Sequence, residues 1–419
     1  MRPRPIPPAV RSFQCPSCGY PLEVRAPGQA KVIACRACTS ILDAQHPQFK
    51  VLEEYKEKAR PLTIPLGQRG TLDGVEWEMV GSMLKKVANN PAYAWWENLL
   101  WNPHHGYRWL VESDGHWVLL APCLGRPVTS PARGKPGARF DGRDFKGFQQ
   151  GKAKVAYVIG EFPWRVRRGG LANTIDYIDP PFQLSREKTK SEEVWTVGRY
   201  IPHHEVEAAF AFEQSLDPIG VAPAQPSPWE PMRKAMHRLF SVFLATAVVL
   251  QIVGLVMARN DKVLEYQGTW RQGEDPVQVT DLFELEGRKS NVRIKTRANV
   301  DNGWAYFMYA LINEDTGQAL NLGREISYYH GRSGGESWKE GKQHDKVFVP
   351  GVESGRWFLR LELQTNEEAV DYSIEMRRDA PRWAFFIWTL IFILVPYGIF
   401  AIARASFEAQ RWQNSDIGR

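Results

Sequence analysis

Residues 239–257 read LFSVFLATAVVLQIVGLVM, and residues 383–403 read WAFFIWTLIFILVPYGIFAIA. Neither stretch contains a charged side chain. At roughly 1.5 Å per residue, a helix of either stretch would be about as long as the hydrocarbon core of a bilayer is thick, roughly 30 Å. These stretches therefore predict two transmembrane helices, 239–257 and 383–403.

The two apolar stretches divide the chain of 419 residues into soluble parts. The predicted segments, in chain order, are a zinc ribbon with its connecting segment (1–60), an antiparallel β domain (61–213), a proline-rich linker (214–232), the first transmembrane helix (239–257), a β-sandwich (259–382), the second transmembrane helix (383–403) and a tail (404–419). The net charge of +6 is small for this length, so composition does not indicate a broad surface for nucleic acid.

Four of the five cysteines form two Cys-x-x-Cys pairs, Cys15 with Cys18 and Cys35 with Cys38. Sixteen residues separate the pairs, which lies within zinc-ribbon spacing. Two such knuckles supply four thiolates in a closed tetrahedral site, which holds structure rather than substrate. We predict structural zinc at this site. A rubredoxin-like iron site is the alternative, because thiolates accept either metal.

The predicted orientation in the membrane depends on the cysteines more than on the charges that flank the apolar stretches. Basic residues lie on both sides of each apolar stretch, so the positive-inside count is nearly balanced. Thiolate ligands favour a reducing compartment, and the first residues lack the apolar run of a secretory signal. We therefore predict a bacterial inner-membrane protein with both termini in the cytoplasm and residues 259–382 outside the membrane.

Alternation of apolar and polar residues predicts β-strands in both soluble parts. In the first part, strands are expected near residues 75–79, 108–112, 117–120, 155–159 and 193–200. Turns at Asp73-Gly74 and Asp114-Gly115 and one helix from His203 to Phe212 complete an antiparallel barrel or sandwich. The second part, with alternation at 292–297, 359–363 and 372–376, predicts a jelly-roll-like β-sandwich. The fold class is mainly β with two transmembrane α-helices.

Aromatic side chains interleave with glycines in the second β part, at Tyr328, Tyr329, His330 and Trp338. A glycine-containing loop lined by aromatic rings is suited to ligand contact, and an ordinary long turn is the alternative. We predict contact with an envelope component or a carbohydrate at these four residues.

Other chemistry-bearing residues have simpler interpretations. The histidine pairs His104-His105 and His203-His204 lack the spacing of a hydrolytic metal site and are expected in loops or on the surface. The lone Cys123 follows an apolar run and is expected to be a small buried hydrophobe. Aromatic residues between Tyr93 and Trp117 predict a barrel core, with a stacking groove for a sugar or a nucleobase as the alternative.

Four strings in the first β part resemble one bacterial family, the domain of unknown function number 4178. The strings are RGTLDGVEW (69–77), YRWLVESDGHW (107–117), GEFPWRV (160–166) and DYIDPP (176–181). The likeness extends over about Pro61 to Phe212. Members of that family also place a zinc ribbon before the domain and are encoded near membrane-stress and polyamine-synthase-like proteins. The resemblance implies a membrane-associated accessory role and assigns no catalytic residue.

These observations favour a membrane-anchored scaffold or sensor that binds a cytoplasmic protein partner and an envelope ligand. One alternative is an enzyme, or an enzyme's accessory subunit, acting on a small polyamine-like or lipid substrate. Asp141, Asp144 and Glu161 are among its available carboxylates, although their spacing does not select them.

A second alternative is nucleic-acid binding through the ribbon. Arg25, Lys31 and Arg36 are the basic residues on which it depends, and they are equally consistent with a solvated face. Nucleic acid is therefore the less expected partner.

Overall fold

The computed structural model describes residues 11–26, 28–130, 135–212 and 217–417. The start of the predicted ribbon segment (1–10), the start of the linker (214–216) and the end of the tail (418–419) lie outside the described residues. The described chain is mainly β, with several antiparallel sheets and three helices, of which two are long and apolar. It divides into two compact units, residues 1–234 with 398–419 and residues 235–397.

The N-terminal region contains five short strands around the four cysteines. They are β1 (Arg11–Gln14), β2 (Pro21–Val24), β3 (Val32–Ala34), β4 (Ile41–Asp43) and β5 (Val51–Glu53). β1 and β2 form a hairpin, whereas β3, β4 and β5 pair in order. Leu22, Ile33 and Leu42 form a small core with the buried cysteines. The cysteine-bearing turns therefore rest on a hydrophobic base.

Eleven strands follow in the first unit. They are β6 (Arg69–Leu72), β7 (Val75–Val87), β8 (Asn90–Asn102), β9 (Gly106–Ser113), β10 (His116–Pro122), β11 (Val128–Thr129), β12 (Gly137–Phe140), β13 (Arg143–Phe162), β14 (Leu171–Asp179), β15 (Phe182–Lys188) and β16 (Glu193–Ile201). The two predicted Asp-Gly turns are present, with positive φ at both residues of each. This conformation suits the right-handed twist of the flanking strands.

Eight of these strands close into an antiparallel barrel. The order around the ring is β7-β8-β9-β10-β16-β15-β14-β13. The ring closes because the long β13 pairs with β14 along its first half and with β7 along its second half. Helix α1 (His203–Phe210) packs Val206 and Phe210 against Leu100 and Trp117 of the barrel. The helix ends two residues before the predicted Phe212, and Ala211 follows it in the left-handed conformation.

Two long helices, α2 (Glu230–Met257) and α3 (Ala384–Gln413), contain the predicted membrane segments. Both are long and apolar enough to cross a membrane, and only 6% of the most apolar window of each is buried within the protein. Helix α2 begins nine residues before the predicted start, and α3 continues ten residues beyond the predicted end. Much of the predicted tail is therefore helical.

The end of α3 and the residues after it pack on the barrel. The Arg411 guanidinium is 1% exposed and donates to the carbonyl oxygens of Ala222 (3.2 Å) and Pro223 (2.6 Å). The Trp412 ring lies 5.4 Å from the ring of Phe148, centroid to centroid. A buried guanidinium needs such acceptors, because an unpaired buried charge is costly. These contacts explain why the helix continues after the apolar stretch ends.

The second unit contains ten strands in two antiparallel sheets, β17 (Asp261–Arg271), β18 (Val277–Val279), β19 (Phe283–Leu285), β20 (Ser290–Ala298), β21 (Gly303–Asn313), β22 (Ala319–Ser333), β23 (Glu336–Lys342), β24 (His344–Val352), β25 (Gly355–Thr365) and β26 (Ala369–Arg378). One sheet has the order β17-β26-β20-β24, and the other has the order β18-β25-β21-β22-β23 with β19 also on β25. Both sheets contribute to one core, which includes Ile294, Phe307, Trp357 and Ile374.

Candidate functional site

The two Cys-x-x-Cys turns have the same backbone conformation. The Gly19 N–H donates to the Cys15 carbonyl oxygen (2.8 Å), and the Thr39 N–H donates to the Cys35 carbonyl oxygen (2.9 Å). Gly19 has a φ of +73°, and Thr39 takes the equivalent place with a φ of +64°. Thr39 is strained there because left-handed backbone is unfavourable for a β-branched residue. The two knuckles thus form a pseudo-symmetric pair.

The four thiol groups converge on one point. The distance from Cys15 Sγ to Cys38 Sγ is 3.9 Å, and that from Cys18 Sγ to Cys35 Sγ is 3.8 Å. All four sulfur atoms lie within 4.8 Å of one another. Tetrahedral coordination with metal–sulfur bonds of roughly 2.3 Å requires sulfur atoms roughly 3.8 Å apart. The cluster therefore fits a single metal ion bound by four sulfurs.

The surroundings of the cluster orient the thiol groups. The Ala37 N–H donates to Cys35 Sγ (3.4 Å), and Ser40 Oγ lies 3.3 Å from Cys38 Sγ. Backbone groups of Tyr55 fix the Ser40 hydroxyl by two hydrogen bonds of 2.9 Å. Burial raises the pKa of the Cys35 thiol to about 12. A bound cation would stabilise its thiolate, so metal binding releases protons at neutral pH.

A buried carboxylate joins the ribbon to the barrel. Glu161 on β13 accepts hydrogen bonds from the backbone N–H groups of Arg25 (2.6 Å) and Ala26 (3.0 Å). The Arg25 side chain forms an ion pair with Glu78 of β7 (2.6 Å). β3 also pairs with β13, with Ala34 opposite Gly160. The ribbon and the barrel therefore share a sheet, an ion pair and a hydrophobic core.

Substitution of Glu161 by Gln is expected to change the pH dependence of stability. Burial raises the pKa of Glu161 to about 7 from an ordinary value of 4.5. Protonated Glu161 therefore stabilises the folded protein. This contribution is complete below the pKa that Glu161 has in the unfolded chain, and it is lost as pH rises through about 7. We expect the stability advantage of the wild type over Glu161→Gln to fall by about 1 to 3 kcal/mol between pH 5 and pH 8. Denaturant unfolding at each pH measures it.

The matched control is Asp144→Asn, since Asp144 lies on the same strand but pairs with Arg139 at the surface. Arg139 lowers the pKa of Asp144, so this variant is expected to show no change in relative stability between pH 5 and pH 8. Parallel curves for the wild type and Glu161→Gln would contradict the expectation.

An ionic group inside the barrel was not predicted from the sequence. Lys85 Nζ on β7 lies 2.9 Å from a Glu97 carboxylate oxygen on β8 and also contacts Glu187 on β15. On the shorter path around the ring, β13 and β14 lie between β7 and β15. The contact between Lys85 and Glu187 therefore crosses the interior of the barrel. Burial alone would lower the pKa of Lys85, but the two carboxylates outweigh it and raise that pKa.

The predicted ligand contacts of the second unit lie on a β-hairpin. Tyr328, Tyr329 and His330 belong to β22, and Trp338 on β23 pairs opposite Gly331. Neighbouring residues of a strand point to opposite faces. Tyr328 packs against the core and lies 5.6 Å from the His330 ring, whereas Trp338 is 46% exposed. The four residues therefore divide between two faces, and their contact with a ligand stays a prediction.

Comparison with known families identifies the barrel. Residues 65–203 match the family described as "Domain of unknown function (DUF4178)". Residues 65–203 are a DUF4178 domain. The family predicted from the four sequence strings is thus confirmed, over a range slightly shorter than predicted. The range includes every strand of the closed ring and excludes the ribbon and both long helices.

Similarity to solved structures is weak. A structure of the infectious bursal disease virus Gt strain is 9% identical and has a TM-score of 0.18, with 83% of this chain and 67% of that chain covered. A structure of the Gx strain is 10% identical with a TM-score of 0.16, covering 88% and 68%. TM-scores this low carry no argument. No curated protein matches the chain in sequence.

Three of the four paired histidines, His104, His105 and His203, have hydrogen-bond partners in the DUF4178 domain. The backbone N–H groups of His104 and His105 donate to Asn102 Oδ1 (2.7 and 3.0 Å) in the β8–β9 turn. His203 Nδ1 accepts a hydrogen bond from Trp117 Nε1 (3.2 Å). Cys123 packs against the barrel, and burial raises its pKa to about 11.

The residues of the enzyme and nucleic-acid alternatives lie in two places, at the start of β13 and beside the ribbon. Asp144 and Glu161 lie near opposite ends of β13, and Asp141 occupies the turn before that strand. Arg25 is paired with Glu23 and Glu78, and the Arg36 guanidinium lies 5.2 Å from the centroid of the Tyr20 ring. Arg36 lies within the second Cys-x-x-Cys turn, and Arg25, Arg36 and Glu161 line one small cavity.

Proposed function

We propose that this chain is a zinc-ribbon scaffold or sensor anchored in a bacterial inner membrane. The ribbon, the DUF4178 domain and both termini lie in the cytoplasm, where they bind a protein partner. The jelly-roll-like sandwich of residues 259–382 lies outside the membrane and binds an envelope ligand. Zinc holds the ribbon as a structural ion.

The observation that carries the proposal is the packing of the end of α3, and of the segment before α2, against the DUF4178 domain. Glu230 at the start of α2 accepts hydrogen bonds from Arg233 (2.6 Å) and from Arg404 of α3 (3.3 Å). Arg411 then fastens the end of α3 to the segment before α2 through two carbonyl oxygens. A domain held at two helix ends is suited to anchoring and to transmitting a signal.

The metal cluster supports binding rather than catalysis. Four thiolates complete a tetrahedral site and leave no open position for substrate or water. Strand β3 of the ribbon pairs with β13 of the barrel and the two share a hydrophobic core, so the ribbon and the barrel present one continuous surface to a partner.

A topology experiment tests the membrane arrangement. A reporter that is active only outside the cytoplasm is expected to work when fused after Asp315 and to fail when fused after Arg419. Asp315 lies in the β21–β22 turn, where an insertion leaves the strand pairing intact. Measured reporter activity at the C-terminal fusion would contradict the proposed orientation.

Partner capture tests the scaffold role. The full chain, purified from detergent extracts, is expected to bring down a cytoplasmic protein that Cys15→Ser loses and Trp338→Ala retains. The reason is that Cys15→Ser breaks the ribbon, whereas Trp338 belongs to the other unit. Quantitative mass spectrometry makes the comparison. Equal recovery of every protein from both variants would count against a ribbon-dependent partner.

A further inference from the structure

A polar groove runs across the outer face of the β17-β26-β20-β24 sheet. Its volume is about 900 Å³. Alternation along β20 places Ile294 and Thr296 in the core and Lys295 and Arg297 on the opposite face. The groove is lined largely by amide, hydroxyl and basic side chains, including Gln267, Thr269, Lys295, Arg297, His344 and Ser373.

Basic side chains are cross-strand neighbours on two strands beside this groove. Lys295 of β20 is directly opposite Lys346 of β24, and Arg297 is directly opposite His344. Like charges in directly opposite positions destabilise a sheet. On its other side Lys295 lies opposite Glu375 of β26, which offsets part of its charge, whereas Arg297 lies opposite Ser373 and has no acid in the opposite position on either neighbouring strand.

Neither Lys295 nor Arg297 forms an ion pair within the described part of the chain, although Glu375 lies opposite Lys295. The nearby acid Glu375 pairs with Arg293 (3.1 Å) and Arg377 (2.9 Å) instead. The groove's own acid, Asp371, accepts hydrogen bonds from Thr269 (2.6 Å) and Asn299 (3.0 Å). Both basic side chains are thus available to an external anion.

We propose that this groove binds an acidic glycan, a chain of sugars that carries carboxylate, sulfate or phosphate groups. Lys295 and Arg297 hold the acid groups, because guanidinium and ammonium groups form strong hydrogen bonds to such anions. Gln267, Thr269 and Ser373 form hydrogen bonds to the hydroxyl groups of the sugars. A groove of about 900 Å³ accommodates several sugars rather than a single ion. The inference rests on the proposed function, because it specifies the chemistry of the envelope ligand.

Binding of the purified full chain to oligogalacturonate and to dextran sulfate, measured by thermophoresis in detergent, tests this proposal. Neutral dextran of matched length serves as the uncharged probe. We expect both acidic probes to bind, neutral dextran not to bind, and affinity to fall as salt is raised. The double variant Lys295→Gln/Arg297→Gln is expected to lose about tenfold or more in affinity.

The control variant Arg288→Gln/Lys289→Gln removes the same charge from the turn before β20, where both residues are exposed and lie outside the groove lining. It is expected to bind like the wild type. Equal loss in the two variants, absence of binding to either acidic probe, or equal binding of neutral dextran would overturn the proposal.

Two further arms separate the acidic glycan from other anions. Binding of phosphatidylglycerol vesicles through Lys295 and Arg297, with no binding of either acidic glycan, would assign the face to a lipid surface instead. Inorganic phosphate that binds as tightly as the polymers would assign it to a free ion. These results do not depend on membrane orientation, so reversed topology with intact glycan binding would refute the proposed function alone.

Discussion

Cys15→Ser and Cys35→Ser are each expected to abolish metal binding and to unfold the ribbon. The wild type is expected to carry about one zinc ion per chain, since four sulfur atoms surround a single position. Structural zinc contributes roughly 10 to 16 kcal/mol to the folding of small zinc domains, so loss of one ligand leaves the ribbon without its main source of stability. Elemental analysis and circular dichroism of the purified variants measure the two effects.

The matched control is Cys123→Ser, which removes a thiol outside the cluster. Cys123 packs against the barrel and does not belong to the group of four cysteines. Its metal content is expected to equal that of the wild type. Freshly purified wild-type protein without zinc or iron would contradict the prediction, and iron in place of zinc would correct the identity of the metal.

Lys85→Ala is expected to destabilise the barrel by about 3 to 5 kcal/mol, because removal of one member of a buried ion pair leaves the other charge uncompensated. The Lys85 side chain is 6% exposed, and the substitution would leave both Glu97 and Glu187 without their cation. Chemical unfolding followed by tryptophan fluorescence measures the loss.

Two comparisons make that prediction specific. Lys86→Ala changes the next residue of β7, whose side chain points to the other face, and is expected to alter stability by less than about 0.5 kcal/mol. Lys85→Met/Glu97→Gln removes both charges of the Lys85–Glu97 pair and is expected to recover part of the loss. Equal stability of Lys85→Ala and Lys86→Ala would show that the ion pairs contribute little.

Features encoded within a short stretch could be predicted from the sequence. The Cys-x-x-Cys pairs, the Asp73-Gly74 turn and the two apolar runs each depend on neighbouring residues, and the structure contains all of them. The strand near Val75 was recognisable because apolar and polar residues alternate in its sequence, although the structure buries both faces of the strand from Trp77 to Lys85.

Features that depend on strand order could not be predicted in this way. Lys85 and Glu187 meet only because β13 and β14 bring β15 round the ring, and no local pattern encodes that order. Lys295 and Lys346 become opposite neighbours through the pairing of two strands far apart in the sequence. The helical continuation of α3 was missed because its residues are polar, and contacts with the barrel stabilise it.

The pairing of β3 with β13 also bears on how the protein could fail. β3 covers the backbone of β13 from Gly160 to Phe162. Without metal the ribbon would release that segment, and an uncovered strand edge is a template for pairing with another chain. If the protein is anchored as proposed, several copies share one bilayer, and their uncovered β13 edges would pair with one another. Zinc starvation would then cause aggregation and proteolytic turnover as well as loss of a small domain.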